Sequence, residues 1–207
     1  GNLGNIYSSL GDLSKAAQQY RHAIDLAREI EDERHEGAYL GNLGALYLKQ
    51  NNLIEAERAL RQAIAICDTK IPAAAGSFRG TLALLLAKKG EFEAASELFA
   101  LGEPAVTSYP GVHAGFLCKK ARVLHLAGNS KSAVLYLKEA EAIAAKLQSG
   151  PESKIEQMLG ELRGVLGVDG SEEQGVEEEK EERELQLLEG ERLLEWGHIE
   201  RVQSRFK

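Results

Sequence analysis

The residues that could do chemistry are few and widely spaced. The chain has five histidines, and no two of them lie four residues apart, as two metal ligands on one helical face would. Its two cysteines, Cys67 and Cys118, have a spacing that fits neither a disulfide framework nor a cysteine-based zinc site. We interpret them as small packing residues, and we expect no metal site.

Motifs of catalysis are missing as well. The sequence has no glycine-rich dinucleotide or phosphate loop, no H-E-x-x-H zinc motif and no G-x-S-x-G nucleophile motif. Carboxylate pairs abound, but on predicted solvated helix faces, where they titrate normally and do no acid–base work. We therefore expect that the chain is not an enzyme and needs no cofactor.

Composition and charge exclude two classes of partner. No apolar run approaches the roughly eighteen residues of a membrane span. The formal net charge of −7 argues against nucleic acid, and it is uneven: residues 1–168 hold 19 basic and 19 acidic side chains, whereas residues 169–207 hold 6 and 13. No initiator Met and no signal-peptide pattern are present, so we expect a cytoplasmic fragment of a longer protein.

One short pattern recurs along the chain. Residues 2–7 read NLGNIY and residues 42–47 read NLGALY, which places the two copies forty residues apart. Weaker copies follow in the same register around Leu82 and Ala121. Each copy leads into an apolar stripe at helical spacing, and paired helices of this kind bury their stripes by stacking. The pattern predicts a helical repeat array.

These residues resemble the tetratricopeptide repeat (TPR), with its W-x2-L-G-x2-Y and A-x3-F pattern. The match covers residues 1–147, and the long period is similar to the forty-residue variant of Pins/LGN-like adaptors and bacterial TPR signalling proteins. The resemblance implies an all-α fold, a right-handed TPR superhelix (an α–α solenoid) of about four helix pairs. Glycines 11, 90 and 128 are predicted to end helices in a left-handed conformation.

The repeats are predicted at about 1–30, 37–69, 74–103 and 112–147, followed by a capping helix at 151–166, a linker at 167–175 and an acidic helical segment at 176–207. Residues 33–36 are interpreted as a polar connector. The stretch 101–104 ends in proline and is predicted to break the third repeat's second helix early. Two interpretations of 176–207 stay open: an amphipathic docking helix and a truncated fifth repeat.

The resemblance also implies where a partner binds. In the TPR family the first helix of each pair lines a concave groove, and positions around the Leu-Gly pair face the ligand. Carried over by register, the groove residues are Asn2, Asn5, Ser9, Asn42, Leu48, Lys49, Thr81, Leu84, Lys88, Lys119, Arg122 and His125. Four of them are basic and none is acidic, which favours an acidic ligand.

The function predicted from these observations is that of a non-catalytic scaffold, which binds a peptide or partner helix of another protein in the groove. The alternative is a regulatory or sensory TPR region of a larger bacterial signalling protein. Its kinase, ATPase or transcription-regulator domain would then lie outside this fragment. The acidic segment 176–207 is a further candidate ligand, which would dock on the groove in cis or in a dimer.

Overall fold

The structure, a computed structural model, describes residues 1–151 and 153–168. These residues form nine α-helices and no strand. The helices are α1 (Asn2–Ser9), α2 (Leu13–Glu29), α3 (Glu33–Lys49), α4 (Leu53–Lys70), α5 (Pro72–Lys88), α6 (Phe92–Val106), α7 (Pro110–Leu126), α8 (Ser130–Lys146) and α9 (Lys154–Leu166). The predicted all-α fold is confirmed.

The helices pack mainly on their neighbours in the chain. Four pairs form, α1 with α2, α3 with α4, α5 with α6 and α7 with α8, and each pair packs on the next. Helix α9 packs on both helices of the last pair. The buried side chains form one cluster from α2 to α7, against which Tyr7 of α1 packs, and a second from α7 to α9. Packing between successive units is the hallmark of a solenoid, as the sequence predicted.

Between the two helices of each pair, the chain turns at a residue in the left-handed backbone conformation. Gly11, Gly90 and Gly128 have φ angles of 80°, 84° and 83°, and Asn51 takes the same role in the second pair with φ 59°. Glycine adopts this conformation without steric cost, and asparagine tolerates it better than most residues. The conformation predicted for the three glycines is confirmed.

Two local predictions were wrong. Residues 33–36 are the first turn of α3 and not a connector, because the Asp32 carboxylate caps that helix by accepting a hydrogen bond from the His35 amide. Helix α6 does not break at residues 101–104 but continues through Pro104 to Val106. The proline lies in the last turn of α6, so it removes a single late hydrogen bond without ending the helix.

Glycines let the helices approach closely, both inside and between pairs. Inside the second pair, a Cβ on Gly44 would lie 2.7 Å from Leu60 Cγ. Between the third and fourth pairs, Gly80 of α5 receives the ring of Phe116, where a Cβ would lie 2.9 Å from Phe116 Cδ2. Phe116 is fully buried, and its ring also meets Phe99 edge-on at a centroid distance of 5.2 Å. The ring is therefore held from more than one side.

Of the predicted linker 167–175, the structure describes only Gly167 and Val168. Gly167 has φ 69° and ends α9 as a left-handed C-cap. The rest of the predicted linker beyond Val168, and the whole acidic segment 176–207, lie outside the described residues.

Substituting Gly80 by alanine tests the contact between α5 and α7. The added methyl group would meet the immobile Phe116 ring, and overpacking of this kind costs about 1–3 kcal/mol. Gly160→Ala in α9 is the matched control, because a Cβ there meets no neighbour and the helix-propensity gain of up to about 1 kcal/mol is similar. We expect Gly80→Ala to lower the denaturant midpoint and Gly160→Ala to keep or raise it. Equal midpoints for the two variants would contradict this packing.

Candidate partner-binding groove

The first helices of the pairs form a row. Helix α3 packs on α5, α5 packs on α7, and α7 packs on α9. At the N-terminal end, Tyr39 of α3 lies against Gly1, just before α1. Side chains that project from one side of these helices therefore share one surface. We call it the first-helix face, meaning the accessible surface of α1, α3, α5, α7 and α9.

The N-terminal part of this face is polar and exposed. Asn2, Asn5 and Ser9 of α1 are all exposed. The Asn5 Oδ1 atom accepts a hydrogen bond of 2.6 Å from the Tyr20 hydroxyl of α2, and the Ser9 hydroxyl donates to the Asn5 carbonyl at 3.0 Å. Asn5 is thus oriented by α2, and its amide NH2 group stays available to a ligand.

The middle of the face is less open than the sequence predicted. Asn42 and Leu84 are partly exposed, and Lys49 is exposed at the end of α3. Leu48 and Thr81, in contrast, are each only 6% exposed. The Thr81 hydroxyl is also used internally, since it donates to the Ser77 carbonyl. Packing of the neighbouring helices therefore covers both side chains and leaves little of their surface to a ligand.

The remaining predicted residues are basic or aromatic. Lys88 is exposed at the end of α5. In α7, Arg122 lies 3.7 Å from Glu161 of α9, and His125 Nδ1 lies 3.2 Å from the Ser130 hydroxyl. One of the four predicted cations therefore has an acidic neighbour, supplied by the last described helix.

Lys119 is the most constrained cation of the face. It is partly buried beside Gly80, and its ammonium donates to the Ser77 carbonyl at 3.1 Å and to the Ser77 hydroxyl at 3.2 Å. Among the described residues no acid lies within ion-pair distance of it. Burial, together with the charge of Lys154, lowers the pKa of Lys119 to about 8.

Sequence reasoning missed Lys154. It was assigned only to the capping helix, whereas in the structure its charge acts on Lys119. Burial and the positive charge of Lys49 in turn lower the pKa of Lys154. In the sequence, Lys154 lies directly before Ile155, which begins the apolar stripe that packs α9 on α7 and α8. That position is the feature that could have placed Lys154 close to α7. That stripe sets the position of Lys154 relative to α7.

Comparison with protein families identifies the chain. The profile of one family, described as the MalT-like TPR region, matches residues 1–161. The chain belongs to the MalT-like TPR family. The TPR identity predicted from the repeat pattern is thereby confirmed. TPR repeats of this kind serve as protein-interaction or sensory modules, and the fold is typically non-catalytic.

Solved structures agree on the fold of this TPR region. A putative kinesin light chain with nearly identical TPR-like repeats from Podosopora anserina matches with a TM-score of 0.53 and 19% sequence identity. The match covers 80% of this chain and 84% of the other. A point variant of the same protein matches with the same values. A comparison with curated proteins gives no match.

The TPR region offers little for other kinds of site. In residues 1–151 and 153–168 no three His, Cys, Asp or Glu side chains come together as metal ligands would. None of the helices described there is both long and apolar enough to cross a membrane. Cys67 and Cys118 are free and buried, as packing residues would be.

The two thiols should react slowly in the native TPR region. Burial raises the pKa of Cys67, and it raises the pKa of Cys118 to about 11. Because the thiolate is the nucleophile, we expect little alkylation of either cysteine near pH 8 until denaturant is added. Alkylation followed by peptide mass spectrometry assigns the reaction to each cysteine, with the guanidinium-denatured chain as control. Rapid native labelling of Cys118 would show an accessible, activated thiol and contradict the structure.

Proposed function

We propose that the TPR region is a non-catalytic module that binds a peptide or helix of a partner protein along its first-helix face. The first helices pack side by side, so their accessible surfaces join into one continuous face that can bind an elongated ligand. Repeats in this family generally mediate protein–protein interaction, and the proposal assigns that role to this one face.

The observation that carries the proposal is the polarity of the face. Asn2, Asn5 and Asn42 offer amides that can donate to and accept from a peptide backbone. Lys49 and Lys88 are exposed and have no ion pair with an acid among residues 1–151 and 153–168. The face therefore supplies backbone recognition and positive charge, which together suit an extended, acidic ligand.

The alternative function uses the same surface. In this alternative the chain, which matches the MalT-like TPR region, is a regulatory or sensory module of a larger signalling protein. Binding at the first-helix face would then regulate another domain of that protein. The cytoplasmic location and the docking of segment 176–207 both stay predictions.

Selection of peptides from a random library on the full chain tests the proposal. Amide hydrogen exchange, compared with and without a selected peptide, should show protection in α3, α5 and α7. Protection confined to α2, α4 and α6, or failure to recover any binding peptide, would overturn the proposal.

A single substitution tests the role of the asparagine amides. Asn42→Ala should weaken the binding of a selected peptide roughly threefold to tenfold, because one net hydrogen bond contributes about 0.5–1.5 kcal/mol. Gln62→Ala removes an amide from an exposed position of the second helix α4 and is the matched control, expected to leave the affinity unchanged. Isothermal titration calorimetry measures both, and equal losses would argue against amide recognition at Asn42.

A further inference from the structure

We propose that Tyr20 is a positioning residue for ligand recognition, because it orients the Asn5 amide as a hydrogen-bond donor to the bound peptide. The peptide would then present an acceptor, a backbone carbonyl, to the first helix pair. This inference rests on the proposed function of the first-helix face, and it names the chemistry that one part of this face selects.

The Tyr20 ring lies against the backbone of α1 because residue 4 is a glycine. A Cβ on Gly4 would lie 2.7 Å from Tyr20 Cε1, which is closer than packed side chains come. Tyr20 is only 3% exposed, and its hydroxyl reaches Asn5, the next residue of α1. Packing inside the first pair therefore brings a phenol of α2 to a side chain of the first-helix face.

The phenol determines which end of the Asn5 amide it binds. The Tyr20 hydroxyl donates to Asn5 Oδ1 at 2.6 Å, and it makes no other hydrogen bond in residues 1–151 and 153–168. With the amide reversed, its NH2 group would donate to the phenol oxygen, and the phenol proton would lose its acceptor. A buried donor without a partner is costly, so the observed orientation is the preferred one. Burial also raises the pKa of Tyr20, so its hydroxyl keeps the proton that it donates.

This orientation leaves the NH2 end of Asn5 to a ligand. Asn5 is exposed, and its NH2 group has no hydrogen-bond partner among the described residues. Such a side chain favours a ligand group that accepts, and a group that only donates is left without a partner. In a peptide backbone the acceptor is the carbonyl oxygen. Asn2 is not tied in this way within the described part of the chain, so its amide can turn either end to a ligand.

Among the four described pairs, the first alone has this arrangement. In the second pair, Ala45 stands in the place of Asn5, forty residues further along the chain. The residues that take the place of Tyr20 in the other second helices are all buried and lack a hydroxyl: Leu60, Phe99 and Leu137. Apolar side chains fill this position in the other pairs, so packing alone does not require a phenol oxygen there.

The first test is a double-mutant cycle of stability on the full chain. Tyr20→Phe removes the hydroxyl and keeps the ring, so we expect it to lower the denaturant midpoint. In a chain that carries Asn5→Ala, the same change should lower the midpoint less or raise it, because the acceptor is already absent. Equal shifts in the two backgrounds would show that the hydroxyl does not bind Asn5 and would overturn the inference.

The second test measures the affinity of the full chain for a peptide selected from a random library, by isothermal titration calorimetry. Asn5→Asp keeps an acceptor for the Tyr20 hydroxyl but removes both N–H donors. We therefore expect it to weaken binding at least as much as Asn5→Ala does, roughly threefold to tenfold. Gln18→Glu is the matched control, since it makes the same amide-to-acid change at an exposed position of α2 and should leave the affinity unchanged. Circular dichroism melting confirms that each variant is folded.

The affinity of Tyr20→Phe separates a positioning role from a structural one. Without the phenol, the Asn5 amide can turn either end to the ligand, and equal populations of the two orientations would weaken binding about twofold. In the Asn5→Ala chain, Tyr20→Phe should not change the affinity, because no amide is left to orient. An equal loss in both backgrounds would assign Tyr20 a structural role and overturn the inference.

The outcomes distinguish this inference from the proposed function. If the selected peptide protects α3, α5 and α7 but binds Asn5→Asp as tightly as the native chain, the inference is overturned and the proposed function stays. Failure to recover any binding peptide would overturn both. An equal loss of affinity in Gln18→Glu and Asn5→Asp would attribute the effect to the added charge, and it would overturn the inference alone.

Discussion

Each first helix in the centre of the array has a glycine where a ring from the next first helix lies. The ring of Phe78 in α5 lies against Gly41 of α3, and the ring of Phe116 in α7 lies against Gly80 of α5. A Cβ at either glycine would meet the ring, so the separation of the helices depends on its absence. Because interiors are packed to near-crystalline density, a change of one methyl group at such a contact is felt by both helices. The stacking of the repeats depends on this contact.

The same close approach determines the electrostatics of the face. With α5 and α7 held together at Gly80, the Lys119 side chain reaches across to Ser77 and becomes partly buried. Neighbouring protein atoms then replace the water that would solvate the ammonium, and only two hydrogen bonds to Ser77 compensate. The burial of Lys119 and the close packing of α5 on α7 therefore both depend on the glycine at position 80.

Much of the fold could be predicted because the repeat pattern is local. Leu-Gly marks the first two helix pairs, and a residue with positive φ (Gly11, Asn51, Gly90 or Gly128) lies at the turn of every pair. The helices and their ends therefore follow from residues a few positions apart. The start of α3 differs from the prediction because Asp32 acts as its N-cap, and the end of α6 differs because Pro104 lies in its last turn and does not break it. Both errors concern a helix end, where one capping or missing hydrogen bond decides the outcome.

The groove was harder to predict, since accessibility depends on contacts between repeats. Register predicts Leu48 of α3 and Thr81 of α5 on the ligand side, yet both are covered, because about half of each of these helices is buried against neighbouring helices. The influence of Lys154 on the pKa of Lys119 depends on where α9 packs, which no motif in that helix specifies. Short-range patterns define the helices, and packing between repeats decides which of their residues a partner can reach.

The partial burial of Lys119 lowers the stability of the folded chain at neutral pH. Its ordinary pKa is 10.5, and the folded chain holds it at about 8, so the unfolded chain binds this proton more tightly. Below about pH 8 the charged lysine therefore opposes folding, and that opposition fades as the pH rises from 8 towards 10.5. A methionine of similar length would fill the same space without that cost. The packing of α5 on α7 must therefore offset the cost of a partly buried cation that has no acidic neighbour among the described residues.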